Sequence, residues 1–181
     1  KKELTNMIEL GIKHNIKNYD TAYLYHNQKC LAEILKKYPN IDFNITTKVY
    51  DRKHKITKCI SQVLKSLSHF KYQKNNKLTL LLHNPMPSVG WKCIEQFTQE
   101  FDMLGVSNHN IAELEKIYKY CQVRPSINQI EFHPYLNNRD LIKFCKNNNI
   151  KVIGHSIFLQ GKCLGDPTII KIAQKHNITS A

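Results

Sequence analysis

The sequence predicts an α/β fold made of repeated strand–helix units around a parallel sheet. Short runs rich in β-branched and apolar residues alternate with longer stretches whose apolar residues recur at helical spacing. The run Lys77 to His83 is almost continuously apolar, the pattern of a strand covered on both faces. No long linker or shift of composition interrupts the alternation, so 181 residues read as one domain over 1–181.

In chain order, Met7, Ile8 and Leu10 followed by Gly11 predict the last turns of a helix with a glycine stop, then a strand over Ile16 to Thr21. Gln28 to Leu35 reads as the next helix and Phe43 to Tyr50 as a strand. Ile56, Cys59, Ile60, Val63, Leu64, Leu67 and Phe70 are expected on one buried helical face. After the strand at Lys77 come a Pro-bounded loop, Asn84 to Gly90, and a short helix, Trp91 to Phe97. Met103 to Ser107 is a strand, and Ile111, Leu114, Ile117, Tyr118 and Cys121 form a helical stripe. The unit repeats with Ser126 to Phe132 and a helix turning Leu141, Ile142, Phe144 and Cys145 inward. A last strand, Lys151 to Ile157, precedes a helix from Pro167 to His176, and both ends of the chain read as lying inside helical segments.

Composition excludes several classes. With 41% hydrophobic and 23% charged residues and only 6 Gly and 6 Pro, the chain buries a core, which removes disordered and collagen-like readings. No apolar run approaches the roughly 20 residues that span a bilayer, and no signal peptide is evident, so no membrane role is expected. The net charge of +13 would favour polyanions if it were clustered, but it is dispersed. Of the 27 basic residues only Arg52, Arg124 and Arg139 carry the guanidinium fork that base readers use, so no specific nucleic-acid partner is expected. The cysteines, Cys30, Cys59, Cys93, Cys121, Cys145 and Cys163, are widely spaced with no C-x-x-C. They imply neither zinc nor a disulfide framework. Cys59, Cys121 and Cys145 fall in apolar stripes and are expected as reduced core residues of a cytoplasmic protein.

Six strands, each followed by a helix, fit either a (β/α)8 barrel or an open doubly wound sheet. Polar residues at the strand ends favour the barrel, which assembles its chemistry there: Asp20 with Tyr25, Lys48, His83, Ser107-Asn108, Gln129 with Glu131, and His155-Ser156. A tyrosine can give up a proton near neutral pH if a cation stabilises its phenolate and a carboxylate holds that cation. A histidine beside it could orient a carbonyl oxygen. Singly, each has a plainer role: Lys48 and Asp20 an ion pair, Tyr25 packing, His83 a satisfied core histidine, Ser107-Asn108 a helix cap. Glu131 and His133 are expected to bond backbone near the strand end. His14, His54, His69, His109 and His176 show no metal-ligand spacing and are expected at the surface.

YDTAYLYHN (19–27), ITTKVY (45–50), LLLHNP (80–85), GVSNHN (105–110) and INQIEFHPYL (127–136) resemble, in order and local spacing, the aldo-keto reductases. The resemblance runs along practically the whole chain. It implies a (β/α)8 barrel, here incomplete with about six units because the first and eighth strands are missing. It also implies reduction of a small-molecule aldehyde or ketone with NADPH, or NADH as second choice, without metal. Carried over, the catalytic set is Asp20, Tyr25, Lys48 and His83. Tyr25 is then the general acid, Lys48 and Asp20 tune it, and His83 orients the carbonyl. Asp20, Ser107, Asn108, Gln129, His155 and Ser156 become cofactor-binding. Three positions depart from the family pattern: His155 stands for a tyrosine that stacks on nicotinamide, Asn84 for a tryptophan of the substrate wall, and His26 for a glycine. Unpaired barrel edges imply self-association. The alternative is a shortened, catalytically silent relative serving as a binding or assembly subunit.

Overall fold

The structure is a computed structural model describing residues 2–50, 55–71 and 76–181; His54 and Arg52 lie outside the described residues. Helix α1 (Lys2–Lys13) precedes β1 (Asn18–Asp20), and the alternation continues with α2 (Gln28–Leu35), β2 (Asn44–Val49), α3 (Ile56–Phe70) and β3 (Lys77–Leu82). Then follow α4 (Ser88–Ile94), β4 (Met103–Ser107), α5 (Ile111–Tyr118), β5 (Ile127–Glu131), α6 (Arg139–Asn147), β6 (Lys151–His155) and α7 (Pro167–Lys175). The six strands run parallel in the order β1-β2-β3-β4-β5-β6, each hydrogen-bonded to its neighbour in sequence. This is a barrel sheet left open between β1 and β6, six of the eight staves of a (β/α)8 fold.

Strand alternation sorts the side chains. Ile45, Val49, Leu78, Leu80, Leu82, Leu104 and Val106 face the helices, where Leu31, Leu35, Val63, Phe70, Trp91, Ile94 and Leu114 complete the apolar core. Residues one position out of step face the barrel interior, a cavity of about 720 Å³ lined by Asp20, Thr46, Thr79, Ile127, Gln129 and His155 among others. Gly105 belongs to this inner set. A Cβ there would lie 2.6 Å from the Ile127 carbonyl oxygen and 2.9 Å from a Leu81 methyl, so β4 and β5 can approach only over a glycine.

Several expectations are corrected. Helix α1 runs two residues past Gly11, and Asn15, with φ of 61°, ends it instead. The Asn15 amide donates to Ile12 O (2.9 Å) and the Ile16 amide to Gly11 O (2.9 Å), which satisfies the last carbonyls. Helix α7 likewise ends at Lys175, with Asn177 left-handed and Ile178 N bonded to Ala173 O, so the chain does not stop within a helix. In α3, Leu64 is 53% exposed and Ile56 also faces water. The buried stripe is Cys59, Gln62, Val63, Ser66, Leu67 and Phe70, whose i, i+3, i+4 spacing leaves Leu64 about 100° off the face. His109 is buried and His69 half-buried, whereas His14 and His176 are exposed as expected. Cys59 and Cys145 are buried and Cys121 partly so, and none of the six cysteines is in a disulfide among the described residues.

Candidate active site

Strand termini bring the expected side chains together at the carboxyl end of the barrel. Asp20 ends β1, Lys48 lies one residue before the end of β2, and His83 follows β3 directly. Lys48, only 2% exposed, pairs its Nζ with Asp20 Oδ1 and donates to Thr21 O at 3.1 Å. Its Nζ also stands over the Tyr25 ring, 5.2 Å from the centroid. Tyr25 and His83 meet edge to face with ring centres 5.6 Å apart. The Tyr25 hydroxyl makes no hydrogen bond to the described residues, and His83 Nδ1 is buried without a partner. The Tyr25 hydroxyl and the other ring nitrogen, His83 Nε2, which also has no partner among the described residues, are therefore open to a ligand, whereas Nδ1 is sealed from it.

Gln129 joins the group across the barrel, its Nε2 donating to Asp20 Oδ2 at 2.7 Å. Ser107 Oγ donates to Gln129 O (2.9 Å), and Asn108 Nδ2 donates to His83 O (3.1 Å) and Asn84 Oδ1 (3.2 Å). Asn108 reaches these partners from a left-handed backbone, φ 60°, which asparagine tolerates. His155 Nε2 donates to Asn108 Oδ1 at 2.8 Å; an amide oxygen only accepts, so Nε2 carries the proton and Nδ1 faces the Ser156 hydroxyl at 3.0 Å. Glu131 and His133 pair at 3.5 Å, and His133 Nδ1 accepts from the Tyr135 amide at 3.3 Å.

Burial, with the Asp20 charge behind it, holds the Tyr25 phenol above its ordinary value. The pull expected of Lys48 is the opposite one. Burial lowers the Lys48 pKa, outweighing the support it receives from Asp20, and its hydrogen bonds go to Asp20 and Thr21 rather than to the phenol. His83 is lowered by burial and by Lys48, against Asp20. His155 is lowered by burial, against Glu131. The site therefore holds a protonated phenol beside a neutral imidazole at neutral pH.

One clamp escaped the sequence reading. Gln28 Nε2 donates to Thr47 Oγ1 and, at 3.1 Å, to Ser66 Oγ, while Thr21 Oγ1 donates to Asn27 Oδ1 at 2.7 Å. These bonds fasten both ends of the segment carrying Tyr25, one of them to the residue preceding Lys48. Gln62 and Ser66, polar residues at core spacing in α3, were the available signal: buried polar groups at such positions have partners.

Residues 1–178 match the aldo/keto reductase family, described as "Aldo/keto reductase family". The chain belongs to that family. Among the relatives of this aldo/keto reductase is the glyoxal reductase of Bacillus subtilis (strain 168), 28% identical over 182 residues, covering 97% of the chain and 65% of the relative. Another is the methylglyoxal reductase DkgB of Salmonella typhimurium, 30% identical over 186 residues, covering 96% and 67%. An aldo-keto reductase from a Medee basin deep-sea metagenome library superposes with a TM-score of 0.89 at 25% identity, covering 99% of the chain and 70% of that structure. A Gox0644 mutant in complex with NADPH gives 0.87 at 28% identity, covering 99% and 67%. The chain spans about two thirds of the length of the curated relatives it matches. Among the described residues no helix is long and apolar enough to cross a membrane.

Proposed function

We propose that this chain, acting as one domain, reduces the carbonyl of a small aldehyde or ketone to the alcohol, with NADPH as hydride donor and Tyr25 as the acid. The observation that carries the reading is the pair of unsatisfied groups at the mouth of the barrel. The Tyr25 hydroxyl is free to donate, and His83 Nε2, on the same ring as the sealed Nδ1, has no partner among the described residues and is free to meet a ligand. One carbonyl oxygen could meet both side chains, whose rings stand 5.6 Å apart.

The residues present suit a nicotinamide carboxamide. Ser107, Asn108 and Gln129 supply hydroxyl and amide groups from adjoining strands, beside a cavity of about 720 Å³ that also touches His155 and Ser156. Bound, NADPH supplies the hydride, and the NADPH complex of a relative of this fold favours that cofactor. Asp20 holds Lys48, Lys48 presents its charge to the Tyr25 ring, and Tyr25 passes its hydroxyl proton to the oxygen as negative charge develops there. His83 orients that oxygen. Asn108 and His155 exchange their mutual hydrogen bond for the ligand.

The names of the relatives make 2-oxoaldehydes such as glyoxal the first substrates to test, with NADPH and NADH side by side. Tyr25→Phe is expected to lower kcat by about 100-fold or more with NADPH affinity unchanged in a fluorescence titration. An undiminished kcat would remove the role of Tyr25. A folded chain that binds no NADPH would favour the silent relative.

A further inference from the structure

A second cavity, of about 510 Å³, lies next to His109, between residues 85–88, at the start of α4, and α5. Its size falls within the range of small-molecule sites, and none of its lining residues belongs to the set around Tyr25. The most buried of them is His109, 2% exposed.

His109 is fixed in place. Its amide donates to Asn128 Oδ1 (3.4 Å), its carbonyl accepts from Asn128 Nδ2 (2.8 Å), and its Nδ1 lies 2.9 Å from Ser107 O. A carbonyl oxygen only accepts, so Nδ1 carries the proton and Nε2 the lone pair. Burial opposes protonation of the ring, against the Ser107 bond and the Glu113 charge. Nε2 has no partner among the described residues, and His109 is one of the residues that line the cavity. The result is a rigid acceptor in a site walled by Pro85, Met86, Ile117 and Tyr120.

We propose that this cavity is a second ligand site, for a small neutral molecule with an apolar body and one O–H or N–H donor directed at His109 Nε2. An anion would face the Nε2 lone pair. The described residues hold no cluster of three metal-ligating side chains, and Glu113 already spends Oε2 on the Asn110 amide at 2.8 Å. Glu113, Lys116 and Lys119 supply charges of both signs, which favours a neutral occupant. The proposal does not depend on the reductase reading.

Phenol and its methyl ether anisole separate the donor from the body. Titrated into the full chain and followed by ligand-detected NMR, phenol is expected to bind about tenfold tighter than anisole, the cost of leaving a buried acceptor unpaired. Phenol should also shift the Nε2 nitrogen resonance of His109 and leave Nδ1 in place. His109→Phe should abolish the preference, and His109→Gln, which keeps an acceptor, should retain part of it even if the Phe variant fails to fold. Equal affinity for phenol and anisole, a preference that survives His109→Phe, or no binding at millimolar concentration because the cavity holds only water would each overturn the proposal.

Discussion

At the scale of single residues, the site turns on one buried cation. Lys48 is almost wholly enclosed, and its counter-charge, Asp20, is 43% exposed, so the pair is neither a surface contact nor a sealed one. Asp20 is the group that opposes the downward push of burial on Lys48. Asp20→Asn is therefore expected to lower the Lys48 pKa further below 10.5, which a titration of its Cε resonance by carbon NMR would reveal. A value that rises or stays put would show that the two charges are not coupled. The same change leaves an ammonium under-compensated in the interior and should cost about 1 to 3 kcal/mol of stability near neutral pH, measured by urea denaturation. Which residues meet here was legible in the sequence, because each ends a strand and parallel staves deliver strand ends to one place. The sign of the Tyr25 shift was not. It depends on how deeply the cation is covered, and spacing carries no record of depth.

At the scale of elements, the same device closes three helices. His14-Asn15-Ile16, Asn148-Asn149-Ile150 and His176-Asn177-Ile178 each place a left-handed asparagine after the helix, with the isoleucine amide returning to a carbonyl five residues back. Two of the three lead straight into a strand, β1 or β6. Asn149 has φ of 57°, a conformation that costs a residue with a Cβ roughly 1 to 2 kcal/mol and glycine almost nothing. Asn149→Ala is expected to lower the unfolding free energy by about 1 kcal/mol, and Asn149→Gly to leave it unchanged or slightly raised. Equal losses from both would assign the effect to the asparagine side chain instead. Glycine is the familiar stop signal, and for that reason Gly11 misled the sequence reading. Leu64 misled it in another way, since hydrophobicity alone put it in the stripe while the rotation per residue gave the place to Gln62 and Ser66. Strand positions were more legible. Their apolar and β-branched runs are bounded by polar residues, and β4 begins and ends where the pattern puts it.

At the scale of the whole molecule, His83, His109 and His155 are all held below 6.5 by burial. Between those lowered values and 6.5 the unfolded chain takes up protons that the folded chain refuses, so stability falls as pH drops through that window and is recovered above it. Urea midpoints should be lower at about pH 5.5 than at about pH 7.5, with a smaller difference in His109→Phe. An equal or larger difference in the variant would remove His109 from the account. The sheet order has a consequence for time as well as shape. Because every strand pairs with its neighbour in sequence, each ladder joins residues roughly 20 to 35 apart, and a chain growing from its amino end can add one stave as soon as it emerges. The bond from Gln129 to Asp20 is different, since it joins residues 109 positions apart. Asp20 therefore waits for its second partner until five of the six staves have been made, and the mouth of the barrel matures late, after the walls that support it.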